Sequence, residues 1–204
     1  MANKKIKDLI TEYKLKKTLI KKRLAEFTNL PKERYFQEFI FCILTPQSNA
    51  KKCWSAVEQL TLLKEWHPDK VSSILKTKTR FHNNKSAYLL EAQMIWLKIE
   101  KDLKDDDEKQ LRNQIARKVK GYGLKEASHF LRNIGKSNNK IAILDRHILR
   151  NLKSLGIIEE DKIRNNKDYL QIEEKFINFS KSINIPLDEL DLLFWSRENG
   201  EIFK

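Results

Sequence analysis

Arg117-Lys118-Val119-Lys120-Gly121-Tyr122-Gly123-Leu124-Lys125 breaks one helical pattern with two glycines and starts another at once. Leu111, Ile115 and Val119 mark the apolar face before the break. A Gly-Tyr-Gly turn joining two helices can present consecutive backbone N–H groups. Glycine reaches φ > 0 without steric cost, and the next helix begins with unpaired donors. Lys120, Gly121 and Gly123 therefore form a candidate anion site, suited to a phosphate of a nucleic-acid backbone. Lys125 stands at the mouth of the turn, and Asp145 follows twenty positions later.

Taken alone, Lys125 is one of many cations that could touch a phosphate. A free lysine is protonated and inert at neutral pH. Burial and neighbouring positive charge favour the neutral amine, as nucleophilic catalysis requires. The helix N-terminus, Lys118 and Lys120 are the neighbours expected to do this. Asp145 has an ordinary role as a helix N-cap, which leaves its second oxygen available to a cationic transition state. His129, four residues after Lys125, shares its helical face and either lines the same pocket or packs beneath it.

Forty-one Lys and Arg against 28 Asp and Glu give a formal charge of +13. That sign suits a polyanion, and nucleic acid is the commonest such partner. Cys42 and Cys53 are too few for a four-cysteine metal or iron–sulfur site and are expected as buried free thiols in a reducing compartment. The N-terminus has no apolar signal segment and no run is long enough to span a membrane. An intracellular protein of the cytoplasm or nucleoid, with no membrane association, is expected.

Five glycines and four prolines leave little punctuation, and nearly every window reads at helical period. The class is all-α. A long first helix has Ile6, Leu9, Ile10, Tyr13, Ile20, Leu24 and Phe27 on one face and mostly lysine on the other. Pro31 suits a first helical turn. Tyr35, Phe36, Phe39, Ile40, Ile43 and Leu44 follow as a heavily apolar helix that stops at Thr45-Pro46. Further helices are predicted from Ser48 or Asn49 onward, from Pro68 to Leu75 and from about Lys85 to Asp102. Asp105-Asp106-Asp107-Glu108 reads as carboxylates stabilised at a helix N-terminus. Later helices are predicted from Asp145 to Leu152, over about 167–183 and, opened by Pro186, over about 187–197.

The blocks KGYGLKEASHFLRNIG at 120–135 and ILDRHILR at 143–150 resemble the helix–hairpin–helix DNA glycosylases. The likeness is greatest to the compact 8-oxoguanine DNA glycosylase/AP lyases of archaea and some bacteria. FCILTPQSNA at 41–50, TRFHNNKSAYL at 79–89 and ELDLLFWSRENGEIFK at 189–204 extend it over most of the chain.

This resemblance implies a two-lobed helical fold with the active site in a cleft. Residues 30–134 would form a central lobe ending in the hairpin, and 1–29 with 135–204 the second. It also implies that Lys125 is the Schiff-base lysine and Asp145 the catalytic aspartate. Phe81 and Trp195 would sandwich the extruded base, with Lys204 and His129 also at the base and Gln47 probing the gap left in the duplex. Double-stranded DNA carrying 8-oxoguanine or abasic sites is the implied partner of a monomeric enzyme that uses no cofactor and no metal. A sister glycosylase for oxidised pyrimidines and a non-catalytic helix–hairpin–helix DNA binder are the alternatives.

Overall fold

The computed structural model describes residues 2–204, and for residues 2, 3, 198 and 199 the backbone alone. Ten α-helices and no strand are present among the described residues: α1 (Ala2–Thr28), α2 (Tyr35–Leu44), α3 (Ala50–Thr61), α4 (Pro68–Lys76), α5 (His82–Asp102), α6 (Glu108–Lys118), α7 (Leu124–Asn133), α8 (Arg146–Ser154), α9 (Asn166–Ser182) and α10 (Leu187–Asn199). They group into two compact units, Met1–Asn29 with Leu131–Lys204, and Leu30–Phe130. The chain passes from the second to the first inside α7.

The unit of residues 30–130 is built on α2, whose last six residues are all buried. Phe39 is its hub, with ring centroids of Trp96, Tyr122 and Phe130 at 5.1, 5.3 and 5.4 Å. Full burial of one such side chain contributes about 2–3 kcal/mol, so this cluster dominates the local packing. Helix starts follow capping chemistry. Asn49 accepts the Lys52 N–H ahead of α3, and Asp107 accepts the Gln110 N–H ahead of α6. Asp105 accepts the Asp107 N–H and the Gln110 side chain, so these acids serve helix initiation. One boundary departs from the expected Lys85: α5 begins at His82, because Phe81 takes a left-handed conformation (φ 57°) and turns the chain directly into the helix.

In the other unit α1 packs along α10. Leu9, Ile20 and Phe27 are buried, and the Tyr13 hydroxyl donates to Glu189 at 2.6 Å. Phe176 of α9 stacks on Phe194 of α10 at 5.8 Å. The apolar run Ile141–Leu144 is buried and outside any helix, so its backbone polar groups need partners. Side chains of α9 supply them. Glu173 accepts the Ala142 N–H at 2.7 Å, and the Tyr169 hydroxyl donates to the Ala142 carbonyl at 2.6 Å. This fixes the segment that delivers Asp145 to the head of α8.

Candidate active site

The hairpin between α6 and α7 is pinned from inside. Tyr122 is buried and its hydroxyl donates to the Phe39 carbonyl at 2.7 Å. Gly121 has φ 87°, and a Cβ there would lie 2.6 Å from the Tyr88 ring. Glycine is required at 121 for both reasons. Gly123 differs from expectation: it is not among the positive-φ positions. Its N–H donates to Glu126 Oε2 at 3.0 Å, and a Cβ there would meet that same oxygen at 3.2 Å. The pattern is the reciprocal half of a capping box, in which a carboxylate three residues into the helix satisfies the cap N–H. With Tyr122 N–H bonded to the Val119 carbonyl at 3.2 Å, two of the turn's donors are engaged within the protein.

Glu126 has a second contact. Its Oε1 lies 2.8 Å from Lys125 Nζ, the lysine side chain being 27% exposed. Lys125 thus sits in the first turn of α7 with one counter-ion. The expected cationic neighbours are engaged elsewhere, Lys118 with Asp102 at 2.7 Å and Lys120 with Glu91 at 2.8 Å. Each has a nearer carboxylate along its own reach. A third lysine is perturbed instead: burial pushes the Lys85 ammonium down to about 8, with the charges of Lys125 and Arg80 adding to the effect. A buried lysine among 41 cations leaves no mark in a single sequence. Glu126, by contrast, was readable from its spacing to Gly123.

His129 is buried on α7 with its ring edge-on to Phe41 at 5.7 Å. Phe81 is 52% exposed, left-handed, and has the Arg80 guanidinium 5.5 Å over its ring. Gln47 is exposed in the turn between α2 and α3 and is also left-handed, at φ 54°. Non-glycine residues at positive φ are strained, and such strain gathers where a side chain must be aimed.

Asp145 is half-buried at the N-cap of α8. Its Oδ1 accepts the N–H groups of His147 and Ile148, both at 2.8 Å, and its Oδ2 accepts Trp195 Nε1–H at 3.0 Å. Trp195 is also edge-on to His147 at 6.3 Å. Asp191, one turn before Trp195 on α10, is buried, with a carboxylate oxygen 3.5 Å from Arg132. Burial pushes the Asp191 carboxyl up to about 7; Arg132 opposes this, and Asp145 and Asp188 reinforce it. An acid inside the apolar run Leu190–Phe194 was the available signal for Asp191. Lys204 is buried.

The model of the 8-oxoguanine DNA glycosylase family matches residues 20–185. The chain belongs to the 8-oxoguanine DNA glycosylase family. A curated relative from Fusobacterium nucleatum, an 8-oxoguanine DNA glycosylase/AP lyase, is 43% identical over 94% of each chain. The crystal structure of the 8-oxoguanine DNA glycosylase of Thermotoga maritima superposes with a TM-score of 0.90 at 29% identity, covering 100% of both chains. A Methanocaldococcus jannaschii 8-oxoguanine glycosylase/lyase, solved in complex with a 15mer DNA containing 8-oxoguanine, matches at TM-score 0.85 and 32% identity, over 96% of this chain and 99% of that one. As in this glycosylase family, the chain is all-helical, and no described helix is long and apolar enough to cross a membrane.

Proposed function

We propose that this member of the family excises 8-oxoguanine from double-stranded DNA and nicks the strand, with Lys125 as nucleophile and Asp145 as the stabilising carboxylate. The observation that carries the reading is the hydrogen bond from Trp195 to Asp145. It ties a flat ring suited to stacking on an extruded base to an acid suited to the sugar beneath that base.

The sequence of bonds follows from the groups. A base within a duplex shields C1′, so the nucleotide is swung out at a cost of a few kcal/mol. Stacking against Phe81 and Trp195 recovers part of that cost, Gln47 fills the gap, and Lys204 contributes to recognition of the purine. As the N9–C1′ bond breaks, positive charge grows on the sugar, and the fixed Asp145 carboxylate lowers its energy. Nζ of Lys125 bonds to C1′, and the departing base takes up a proton the amine sheds. The O4′–C1′ bond then breaks as the remaining proton on the nitrogen passes to O4′, and the ring-opened imine so formed acidifies C2′. Loss of a C2′ proton with departure of the 3′ phosphate cleaves the strand, and water then releases the lysine. Lys120, Gly121 and Gly123 hold the backbone phosphate, for which Lys120 exchanges its Glu91 partner and the Gly123 N–H its Glu126 partner.

Incubation with an 8-oxoguanine duplex and borohydride, followed by peptide mapping, tests this. The adduct is expected on Lys125. An adduct on another lysine, or trapping only with oxidised pyrimidines, overturns the assignment.

A further inference from the structure

Two left-handed, exposed residues of the 30–130 unit, Gln47 and Phe81, are thirty-four positions apart in sequence and joined by one polar network. Its centre is the Ser48 hydroxyl, which donates to the Pro46 carbonyl at 3.3 Å and accepts from the Arg80 backbone N–H at 2.9 Å and from Lys85 Nζ at 2.9 Å. Lys85 also donates to the Leu44 carbonyl at 2.7 Å and the Pro46 carbonyl at 2.8 Å. All three ammonium protons are thus engaged, which is how a buried charge becomes tolerable. Two of the acceptors, Pro46 and Ser48, flank Gln47 directly and the third, Leu44, lies three residues before it, while Arg80 immediately precedes Phe81.

We propose that Lys85 and Ser48 form a brace that fixes Gln47 and Phe81 with respect to each other, making Lys85 a positioning residue for lesion extrusion. Gln47 has one local tie, the Ser48 N–H bonded to the Thr45 carbonyl at 3.0 Å across the turn, and the network adds long-range ties to it and to Phe81. Gln47 is held from both sides because one ammonium bonds the Leu44 and Pro46 carbonyls before it and the Ser48 hydroxyl after it. Phe81 is locked because the Arg80 N–H bonds the hydroxyl next to Gln47. A probing side chain and a stacking ring must act on the same nucleotide together, one entering the duplex as the other receives the base. Held to one frame, they present a fixed offset. A lysine that only capped the carbonyl of Leu44 at the end of α2 would need neither Pro46 nor Ser48.

The inference rests on the functional reading above, and the test separates the two. Single-turnover excision from an 8-oxoguanine duplex is compared with nicking of a preformed abasic-site duplex, for wild type, Ser48→Ala, Lys85→Met, Gln47→Ala and the Ser48→Ala/Gln47→Ala pair. An abasic nucleotide has no base to unstack or to stack, so the brace matters little for it. Ser48→Ala and Lys85→Met are expected to slow excision about tenfold or more, as small misplacements do. Nicking should stay within about threefold of wild type in Ser48→Ala, which keeps the Lys85 charge beside Lys125. Gln47→Ala should add little in the Ser48→Ala background, because the two act as a unit.

Equal loss of excision and nicking in Ser48→Ala, full multiplication of the two substitutions, or unaltered excision in an active protein overturns the brace alone. Should Lys85→Met fail to fold, Ser48→Ala, which leaves Lys85 two carbonyls, decides by itself. A wild-type protein that neither excises nor nicks overturns the functional reading and the brace with it.

Discussion

Asp145 and Lys125 both sit at helix N-termini, yet the two ends are built differently. At α8 the proposed charge-stabilising residue is itself the cap: three donors, the N–H groups of His147 and Ile148 and the indole of Trp195, converge on one carboxylate. At α7 the capping is done by Glu126, and among the described residues the Lys125 ammonium is held by an ion pair to that same residue. A partly exposed ion pair contributes at most about 1 kcal/mol. The acid is fixed in place before any substrate arrives, whereas the amine can leave its partner and travel. That division suits the chemistry. A group that stabilises charge must not reorganise as the charge forms, while a nucleophile must move along the new bond.

The largest break in this comparison is Lys125→Gln. It should abolish the borohydride adduct and lower excision by about 10³-fold or more, as removal of a nucleophile does, while DNA affinity persists. Nicking at the wild-type rate would mean another amine acts. Asp145→Asn comes next. The amide oxygen can still cap α8, so folding should be nearly unchanged while excision falls by about 10²–10³-fold through loss of the charge. If thermal stability falls in parallel with excision, Asp145 is a cap and nothing more.

The sharper pair compares the two tethers. Trp195→Phe keeps a stacking ring and deletes the indole donor, freeing Asp145 Oδ2; excision should fall about tenfold. Glu126→Gln keeps an acceptor for the Gly123 N–H and deletes the ion pair; excision should remain within about threefold. Single-turnover rates of both variants on one 8-oxoguanine duplex read the difference. The reverse ranking would show that the amine, not the acid, depends on being held.

Much of this was legible in residue order. The cap Asp145, the hairpin glycine Gly121 and the all-helical class follow from local rules: a side chain bonding two residues ahead, a φ that a Cβ forbids, an apolar face every three or four positions. What stayed hidden is long-range. Lys85 contacts Leu44, Pro46 and Ser48 across some forty positions, and nothing near it in sequence distinguishes it from other surface lysines. Trp195 and Asp145 are fifty apart, so resemblance could place each but spacing could not join them. The misjudged cations, Lys118 and Lys120, were neighbours in sequence whose long side chains reach back to α5. Local proximity is a poor guide for residues with four rotatable bonds.

The smallest effect concerns the charge beneath the acid. Burial lifts the Asp191 carboxyl from the ordinary aspartate value of 3.8 to about 7, against the opposing pull of Arg132 and with Asp145 adding to the rise. The folded state therefore binds this proton more tightly than the unfolded chain does. Stability gained from a neutral Asp191 is present at low pH and is lost progressively as pH climbs from about 4 to about 7. Asp191→Asn has no such proton. It leaves Arg132 without a carboxylate at every pH, a constant offset, so the readout is the slope and not the level. The melting temperature of the variant minus that of wild type should rise between pH 4.5 and pH 8, by roughly 2–4 °C for each kcal/mol lost by wild type. A flat difference would mean Arg132 keeps Asp191 ionised throughout. Asp145 would then work beside a second permanent negative charge, and its field at the sugar would not be its own.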